Sequence, residues 1–558
     1  MVTPAAADVT YERLLNADAE PQNWLTNHGN YSAHRHSGLD MINRDNVGGL
    51  RLAYAVAVSG VETGNNSMQG TPLVDDGAMY ITDGWGVVTR IDVSSGDRGL
   101  IQWEMNPGVD PSEPGIRANR GVALFGDNVY SVSFDGRLLQ TAAATGELLY
   151  DIQATSPDSV EYLTVAPLAL EDKLVIGVSG ADSGIRGWID AYDTETGEQA
   201  WRRWIIPAPG EPGSETWKDD WNAWQTGGGS GWVTGSYDPD NNIVIWGTGN
   251  PAPDFDASYR PGDNLYTNSA LGLDGDTGEI VWYFQYTPND SWDYDEVGVH
   301  TLIDLEVDGQ MRRVVAHSAR NGFYYTLDAG TGEFVNGVQY VLALNWTAGL
   351  DPKTGMPVEY VENADFQPYA GVAPTHDNPV VEACPTIGGG NNYFPSAYNP
   401  ATGLYYIVGT ENCSRIDQIP FNPGDWVVGD DPGFGAITPV NAQTNATLTA
   451  VDVATGTIAT QIVEPYANYS GILSTAGGLI FSGYLDGSVK AYNDETLEEL
   501  WSVNLGTPLN APPMSFAVNG DQYVAILAGV GFIARGNLVG HPEVQNIRTT
   551  SMLFVFGL

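Results

Sequence analysis

The stretch Ala191-Tyr192-Asp193-Thr194-Glu195-Thr196-Gly197, which runs on to Trp201, contains a short pattern that recurs along the chain. The pattern is an apolar residue, an Asp, two or three small or polar residues, Thr-Gly, and usually an aromatic residue a few positions later. Residues 273–282 are a second clear copy. Looser copies occupy residues 91–103, 142–150, 327–334, 451–458 and 491–501.

Each copy predicts a β-hairpin, because a strand can end at the Asp and Thr-Gly can close a turn that needs a positive φ. Successive copies lie about 50 residues apart, or about twice that where insertions intervene, which is typical of four-stranded propeller blades. A single Asp-x-x-Thr-Gly is only a common turn, but seven copies indicate a repeat. We therefore predict an all-β fold, an eight-bladed β-propeller of four-stranded antiparallel blades, forming a single domain over residues 1–558.

The eighth blade needs strands from both ends of the chain. Residues 50–58 and the segment near Phe554 are the candidates. Pairing them would close the ring and remove its exposed edges.

Composition excludes some classes of function. The chain has 69 acidic and 23 basic residues and a net charge of −46, which repels phosphate backbones, so no nucleic-acid partner is expected. The acidic residues are scattered, as on a solvated surface. No apolar run is long enough to span a membrane, and residues 1–9 lack the apolar core of a signal peptide, which suggests a cytosolic chain or one whose signal has been removed.

The only two cysteines are Cys384 and Cys413. Neither stands in a CxxC or CxxCH context, so they form no zinc site and attach no c-type haem. One disulfide or two inert thiols remain.

The segment Asp290-Ser291-Trp292-Asp293-Tyr294-Asp295 contains a concentration of acids. In an extended stretch, Asp293 and Asp295 would point to one side, where two carboxylates repel each other unless a cation or a proton intervenes. A glycosidase-like acid/base pair is a competing interpretation. It does not explain three further polar or glycine-rich regions, at residues 178–187, at 227–232 together with 247–253, and at 320–325.

These segments and the repeat together resemble the PQQ-dependent alcohol dehydrogenase family over nearly the whole chain. The resemblance implies an enzyme that binds pyrroloquinoline quinone (PQQ) and a metal ion. It implies metal ligands at Asp182, Asn250, Asp293 and Asp295, with Asp293 also the catalytic base, and Arg320 beside the quinone oxygens. The cofactor contacts that it implies are Gln69, Arg120, Thr164, Ser179, Gly180, Ala181, Trp232 under the quinone, Arg320, Asn392 and Tyr469. It also implies a disulfide between Cys384 and Cys413.

Several positions depart from the family pattern. Asp182 and Gln69 each replace a Glu, and Tyr469 replaces a Trp. Residues 114–118 lack the adjacent cysteines that cover the quinone in many members, and residues 529–533 lack a Trp. These differences suggest a subfamily with its own substrate.

Asp295 bears on the identity of the metal. Calcium-dependent members commonly have a small uncharged residue at this position. An acid at this position is a feature in which the chain resembles the lanthanide-dependent members. Three carboxylates together with that of PQQ exceed what a divalent ion needs, and all are hard oxygen ligands. We expect a lanthanide, with calcium as the alternative.

The expected reaction is the oxidation of an alcohol to an aldehyde or ketone, with electrons passing to an external acceptor such as a cytochrome c. A disulfide and such chemistry suggest a periplasmic location. A PQQ-dependent sugar or polyol dehydrogenase is the alternative, and a non-catalytic propeller scaffold is a further one. The scaffold leaves the acids at Asp182, Asp293 and Asp295 unexplained.

Overall fold

A computed structural model describes residues 8–58, 67–110, 117–156, 159–307, 309–419, 422, 426, 428–429 and 435–558. In this part of the chain, eight units of four antiparallel strands account for most of the regular structure. We number these units as blades 1 to 8 in chain order. They confirm the predicted all-β fold and the blade composition.

The four strands of each blade follow one another across its sheet. Blades 1 to 4 consist of Leu73–Asp75, Ala78–Thr82, Val88–Asp92 and Leu100–Met105; Ala123–Phe125, Asn128–Val132, Arg137–Ala142 and Leu148–Gln153; Leu168–Ala169, Lys173–Gly177, Trp188–Asp193 and Gln199–Trp204; and Ser236–Asp238, Ile243–Gly247, Ser269–Asp274 and Ile280–Gln285. Blades 5 to 8 consist of His300–Val307, Gln310–Ser318, Phe323–Asp328 and Phe334–Gln339; Ala397–Asn399, Leu404–Glu411, Asn445–Asp452 and Thr457–Glu464; Ile472–Thr475, Leu479–Gly483, Ser488–Asn493 and Glu499–Asn504; and Met514–Val518, Asp521–Ala528, Met552–Gly557 and Arg51–Ala57.

The remaining elements are short. The α-helices are Tyr11–Leu15 and Phe532–Gly536, and the 3₁₀ helices are Ala17–Ala19, Val47–Gly49, Ala181–Ser183, Ser214–Thr216, Ala223–Thr226, Ala257–Tyr259 and Tyr369–Gly371. The short strands are His36–Ser37, the pair Ser67–Met68 and Ala118–Asn119, and the small sheet Val380–Ala383, Ser414–Asp417 and Ala436–Pro439. Within the residues described, none of the helices has the length and apolar character needed to cross a membrane.

Blade 8 combines a strand from the N-terminal part of the chain with the last strand of the chain. Its outer strand, Arg51–Ala57, pairs antiparallel with Met552–Gly557. This confirms the predicted pairing of residues 50–58 with the segment around Phe554.

An N-terminal segment, residues 22–37, contacts the first strands of most blades. Its carbonyl groups accept hydrogen bonds of 2.8–3.0 Å from the backbone N–H groups of Ala517, Tyr237, Leu302, Tyr398 and Ser474, in blades 8, 4, 5, 6 and 7, while Trp24 pairs with Val74 in blade 1. Six first strands therefore surround one short segment, which places them at the centre of a ring. The sequence pattern did not indicate this central segment.

Neighbouring blades are locked together by the repeated motif itself. The Asp193 carboxylate accepts hydrogen bonds from the N–H groups of Glu195 and Thr196, which shapes the Thr-Gly turn. The aromatic residue that ends one copy then packs on the Thr-Gly glycine of the next blade. Trp201 of blade 3 lies against Gly278 of blade 4 and donates its indole N–H to the Gly275 carbonyl at 3.1 Å. Trp103 lies in the same way against Gly146, and Trp282 against Gly332.

This docking predicts a large penalty for a side chain at Gly278. Gly278 has a φ of +68°, and a Cβ there would overlap the indole of Trp201. Gly520→Ala is a matched control, because Gly520 has a φ of +87° with no atom within 4 Å of an added Cβ. We expect Gly278→Ala to lower the free energy of unfolding by about 3 kcal/mol, against about 1–2 kcal/mol for the control, as measured by thermal unfolding. Equal losses would show that the indole contact does not hold the blades together.

Candidate functional site

Most of the predicted site residues lie just before the first strand of a blade. Gln69, Arg120, Thr164, Trp232, Asp293, Asn392 and Tyr469 precede the first strands of blades 1 to 7 in that order. The first strands line the centre of the ring, so these residues converge at one end of the central axis.

Three further predicted residues with charged or amide side chains follow the second strand of a blade. Asp182, Asn250 and Arg320 follow Lys173–Gly177, Ile243–Gly247 and Gln310–Ser318. Because the first two strands of a blade run antiparallel, the end of the second strand lies beside the start of the first. Both sets of residues therefore belong to the same end of the axis.

Three carboxylates meet at this end of the axis. Oxygen atoms of Asp182, Asp254 and Asp293 all lie within 4.8 Å of one another. The side-chain amide of Asn250 extends between two of them, with Nδ2 at 2.7 Å from Asp254 Oδ1 and 3.4 Å from Asp182 Oδ1. Like charges this close disfavour one another, and hard oxygen donors of this kind suit a hard cation.

Arg320 supplies positive charge beside this cluster. Its Nη1 lies 2.7 Å from Asp295 Oδ2, and its Nη2 lies 3.3 Å from Asp293 Oδ2. Burial alone would lower the pKa of Arg320, but Asp293 and Asp295 outweigh it and raise the pKa above its ordinary value. The guanidinium is thus held in its charged form.

Asp293 is partly buried and has an unusual backbone conformation. It has a φ of +64°, a left-handed conformation that is costly for a residue with a side chain and is concentrated at functional sites. The Asp290 carboxylate fixes the turn by accepting hydrogen bonds from the N–H groups of Trp292 and Tyr294. Burial raises the pKa of Asp293 well above its ordinary value, and Arg320 opposes that shift. A raised pKa makes a carboxylate a stronger base.

Asp295 is held by three donors. Its Oδ1 accepts the backbone N–H of Asn250 at 2.7 Å, and its Oδ2 accepts the indole N–H of Trp232 at 3.0 Å in addition to the contact with Arg320. Asp295 is not among the three carboxylates that lie within 4.8 Å of one another. It links the acidic cluster to the flat ring of Trp232.

Arg120 lies against the ring of Trp232. The guanidinium carbon of Arg120 lies 4.4 Å from the centre of the Trp232 ring and 5.0 Å from that of Tyr393. Arg120 also donates to Thr164 Oγ1 at 2.5 Å, and Thr164 lies 3.0 Å from the hydroxyl of Ser179. Burial lowers the pKa of Arg120 to about 10, so it remains a cation at neutral pH.

The other predicted residues lie at the same end of the axis or support it. Asn392 donates to the Gly388 carbonyl, and the Tyr469 hydroxyl accepts from Asn537. Gly180 has a φ of +107° where the chain turns into the 3₁₀ helix Ala181–Ser183, which brings Asp182 to the cluster. Gln69 Nε2 donates to Ser67 at 3.1 Å.

The predicted disulfide between Cys384 and Cys413 is present. It anchors a loop that contacts Arg320, since the Ile387 carbonyl accepts a hydrogen bond from Arg320 Nη2 at 3.2 Å. The Pro385 carbonyl accepts one from Tyr294 in the segment that carries Asp293. The disulfide therefore supports the site from outside.

Sequence reasoning missed two acids of the site. Asp254 follows directly after the matched segment 247–253, and its position next to that segment was the only available signal. Glu296 is fully buried and accepts hydrogen bonds from His317 Nε2 at 3.0 Å and from the Arg320 backbone N–H at 2.9 Å. Nothing in the sequence distinguishes Glu296 from the many surface acids.

Residues 114–118 stand where many family members have two adjacent cysteines. Residues 114–116 of this segment lie outside the described residues. In the described part of this segment, the guanidinium carbon of Arg117 lies 4.8 Å from the centre of the Trp85 ring and 4.3 Å from that of the Phe134 ring. Phe134 in turn stacks on Tyr162 at 4.7 Å. Residues 529–533, which lack the Trp of the family pattern, lead into the short helix Phe532–Gly536.

Comparison with known proteins identifies the class. Residues 24–345 and 420–524 match the PQQ family described as glucose/ethanol/alcohol dehydrogenase, beta-propeller domain. The dehydrogenase subunit of the quinone alcohol dehydrogenase of Komagataeibacter europaeus is 34% identical, over 95% of this chain and 75% of the relative. The quinoprotein alcohol dehydrogenase PedH of Pseudomonas putida is 33% identical, over 94% of this chain and 89% of the relative.

A solved structure gives the same result. A europium-containing methanol dehydrogenase superposes with a TM-score of 0.86 at 29% identity, covering 98% of this chain and all of that one. The chain belongs to the PQQ-dependent alcohol dehydrogenase family of β-propellers.

Proposed function

We propose that the protein oxidises an alcohol to an aldehyde or ketone with PQQ and a metal ion bound at the centre of the propeller. The observation that carries this proposal is the meeting of Asp182, Asp254 and Asp293 beside Arg320 and the flat ring of Trp232. The named activities of the relatives support it. A sugar or polyol dehydrogenase remains the second candidate, since the matched family includes glucose dehydrogenases.

The residues of the site suit both PQQ and a metal ion. PQQ is a flat tricarboxylate, for which the site offers the Trp232 ring and the cations of Arg120 and Arg320. Arg120 Nε and Arg320 Nε are buried and have no hydrogen-bond partner among the described residues. The same holds for Asn250 Oδ1, which is an oxygen donor next to the acidic cluster.

The chain's own groups divide the work of the reaction. When bound, PQQ would supply the acceptor of the hydride, which carries the two electrons of the oxidation, and the metal ion would supply Lewis acidity. Asp293 accepts the proton of the substrate hydroxyl, because its carboxylate lies in the acidic cluster where the substrate would bind, with Arg320 beside it. Arg320 also stabilises negative charge that develops on a nearby oxygen. Trp232 and Asp295 hold the floor of the site in place.

For the metal we propose a lanthanide held by Asp182, Asn250, Asp293 and Asp295, with calcium as the alternative. Each oxygen of an ionised carboxylate has more than one acceptor site, so the hydrogen bonds of Asp295 leave room for a metal bond. Several hard, charged oxygen donors favour a highly charged cation. The likeness to a europium-containing enzyme supports the same choice.

We further propose that residues 1–558 form one domain, that the protein is periplasmic, and that it passes electrons to an external cytochrome c. The pairing of Arg51–Ala57 with the last strand, Met552–Gly557, supports the single domain. The disulfide suits an oxidising compartment. Residues 1–558 contain no CxxCH sequence, the motif that attaches a c-type haem, so the proposed acceptor is an external one.

Reconstitution tests the function. Purified protein freed of cofactors should regain dye-linked alcohol oxidation only when PQQ and a metal are both added. Asp293→Asn should lower kcat by about 100- to 10,000-fold with either lanthanum or calcium, because the base is lost and extra cation cannot replace it. Activity with NAD alone, or full activity of the variant, would contradict the proposal.

Asp295 should determine which metal supports activity. Asp295→Ala removes one charged oxygen ligand, so we expect lanthanum-supported activity to fall while calcium-supported activity persists or rises. The measurement is a titration of both metals against wild type and variant with PQQ in excess. Asp365→Ala, at an acid with a side chain that is 70% exposed, is the control and should change neither titration. An unchanged metal preference in Asp295→Ala would mean that Asp295 is not a ligand.

A further inference from the structure

Asp254 lies outside the ligand set that the family resemblance implies, yet it is part of the acidic cluster. It is buried, with 7% of its surface exposed. One of its oxygen atoms is within 4.8 Å of oxygens from both Asp182 and Asp293. Its Oδ1 lies 2.7 Å from the side-chain nitrogen of Asn250.

The side chain of Asn250 gives an independent indication of a cation at this point. Asn250 is fully buried, and its Oδ1 has no hydrogen-bond partner among the described residues. The two ends of a carboxamide have nearly the same shape, so a turn of the amide would bring Oδ1 to the place between Asp254 and Asp182 where Nδ2 lies. A buried amide oxygen and carboxylates that meet at one point form the oxygen set that hard cations take.

Arg260 holds Asp254 in this place. Arg260 is fully buried, and its guanidinium donates to the carbonyls of Pro253 at 3.0 Å and of Asp290 at 2.5 Å. It therefore joins the backbone before Asp254 to the loop that carries Asp293. The position of Asp254 relative to Asp293 is fixed by a buried contact, unlike that of an acid on a mobile surface loop.

We propose that Asp254 is an additional carboxylate ligand of the metal ion and that it biases the site toward trivalent cations. The inference rests on the proposed function, because it assumes that the metal binds among Asp182, Asn250 and Asp293. With Asp254 and Asp295 the site would offer four carboxylates. The alternative is a positioning role, in which Asp254 only orients the Asn250 amide.

The variant Asp254→Asn separates these two roles, since it removes the charge and retains an oxygen that can accept from Asn250. Asp256→Asn is the matched control. Asp256 is likewise buried in the same segment, but its carboxylate accepts the backbone N–H of Ser258. Binding of europium and of calcium to the whole chain, with PQQ in excess, is measured by equilibrium dialysis.

We expect Asp254→Asn to lower europium affinity by more than the roughly 10- to 100-fold that outer contacts of a metal site contribute. Calcium affinity should fall much less, because a lost negative charge weakens binding of a trivalent ion more than that of a divalent ion. In Asp254→Ala, europium luminescence decay in H₂O and D₂O should report about one additional bound water. Without metal, Asp254→Asn should unfold at the same or a higher temperature than wild type, because repulsion within the cluster is relieved.

The outcomes distinguish failure of the Asp254 inference from failure of the proposed function. If Asp293→Asn loses europium while Asp254→Asn keeps wild-type affinity and water number, Asp254 is not a ligand and the proposed function stands. An equal fall in europium and calcium affinity, with a less stable metal-free protein, would assign Asp254 a positioning role and overturn the inference. If the wild-type protein with PQQ binds neither metal, the proposed function fails together with the inference.

Discussion

The site depends on one electrostatic constraint, the confinement of several carboxylates at the end of a rigid ring. Asp182, Asp254 and Asp293 come from two blades and from the loop that enters a third, so their proximity depends on how these blades pack together. Their repulsion is relieved by a nearby cation or by a proton. Arg320 provides part of this relief through Asp293 and Asp295, and the blades that carry these residues are locked by buried tryptophan contacts. A bound cation would complete the balance.

The fold could be predicted because the sequence pattern that specifies each hairpin is short and recurs along the chain. The Asp-Thr-Gly turn forms from contacts within five residues, and its seven copies together indicate a repeated hairpin. The same turn also occurs outside any blade, since Asp351 accepts hydrogen bonds from the N–H groups of Lys353 and Thr354. The N-terminal segment 22–37 was not predicted, because its hydrogen bonds use backbone groups that leave no sequence pattern.

The candidate site could be predicted only where the chain matches a family pattern. Asp182, Asn250, Asp293 and Arg320 stand in such segments, and the structure brings them together. Asp254 and Glu296 do not, because their importance comes from what lies near them after folding. Among 69 acidic residues, composition cannot distinguish a buried acid from a solvated one. Burial and distance supply that distinction.

Anomalous diffraction from crystals of the protein grown with PQQ and europium tests the central claim most directly. We predict one strong europium peak on the propeller axis, within about 2.3–2.6 Å of oxygens from Asp182, Asn250 and Asp293, with PQQ density over Trp232. A europium peak only at surface acids, with no density over Trp232, would contradict this claim.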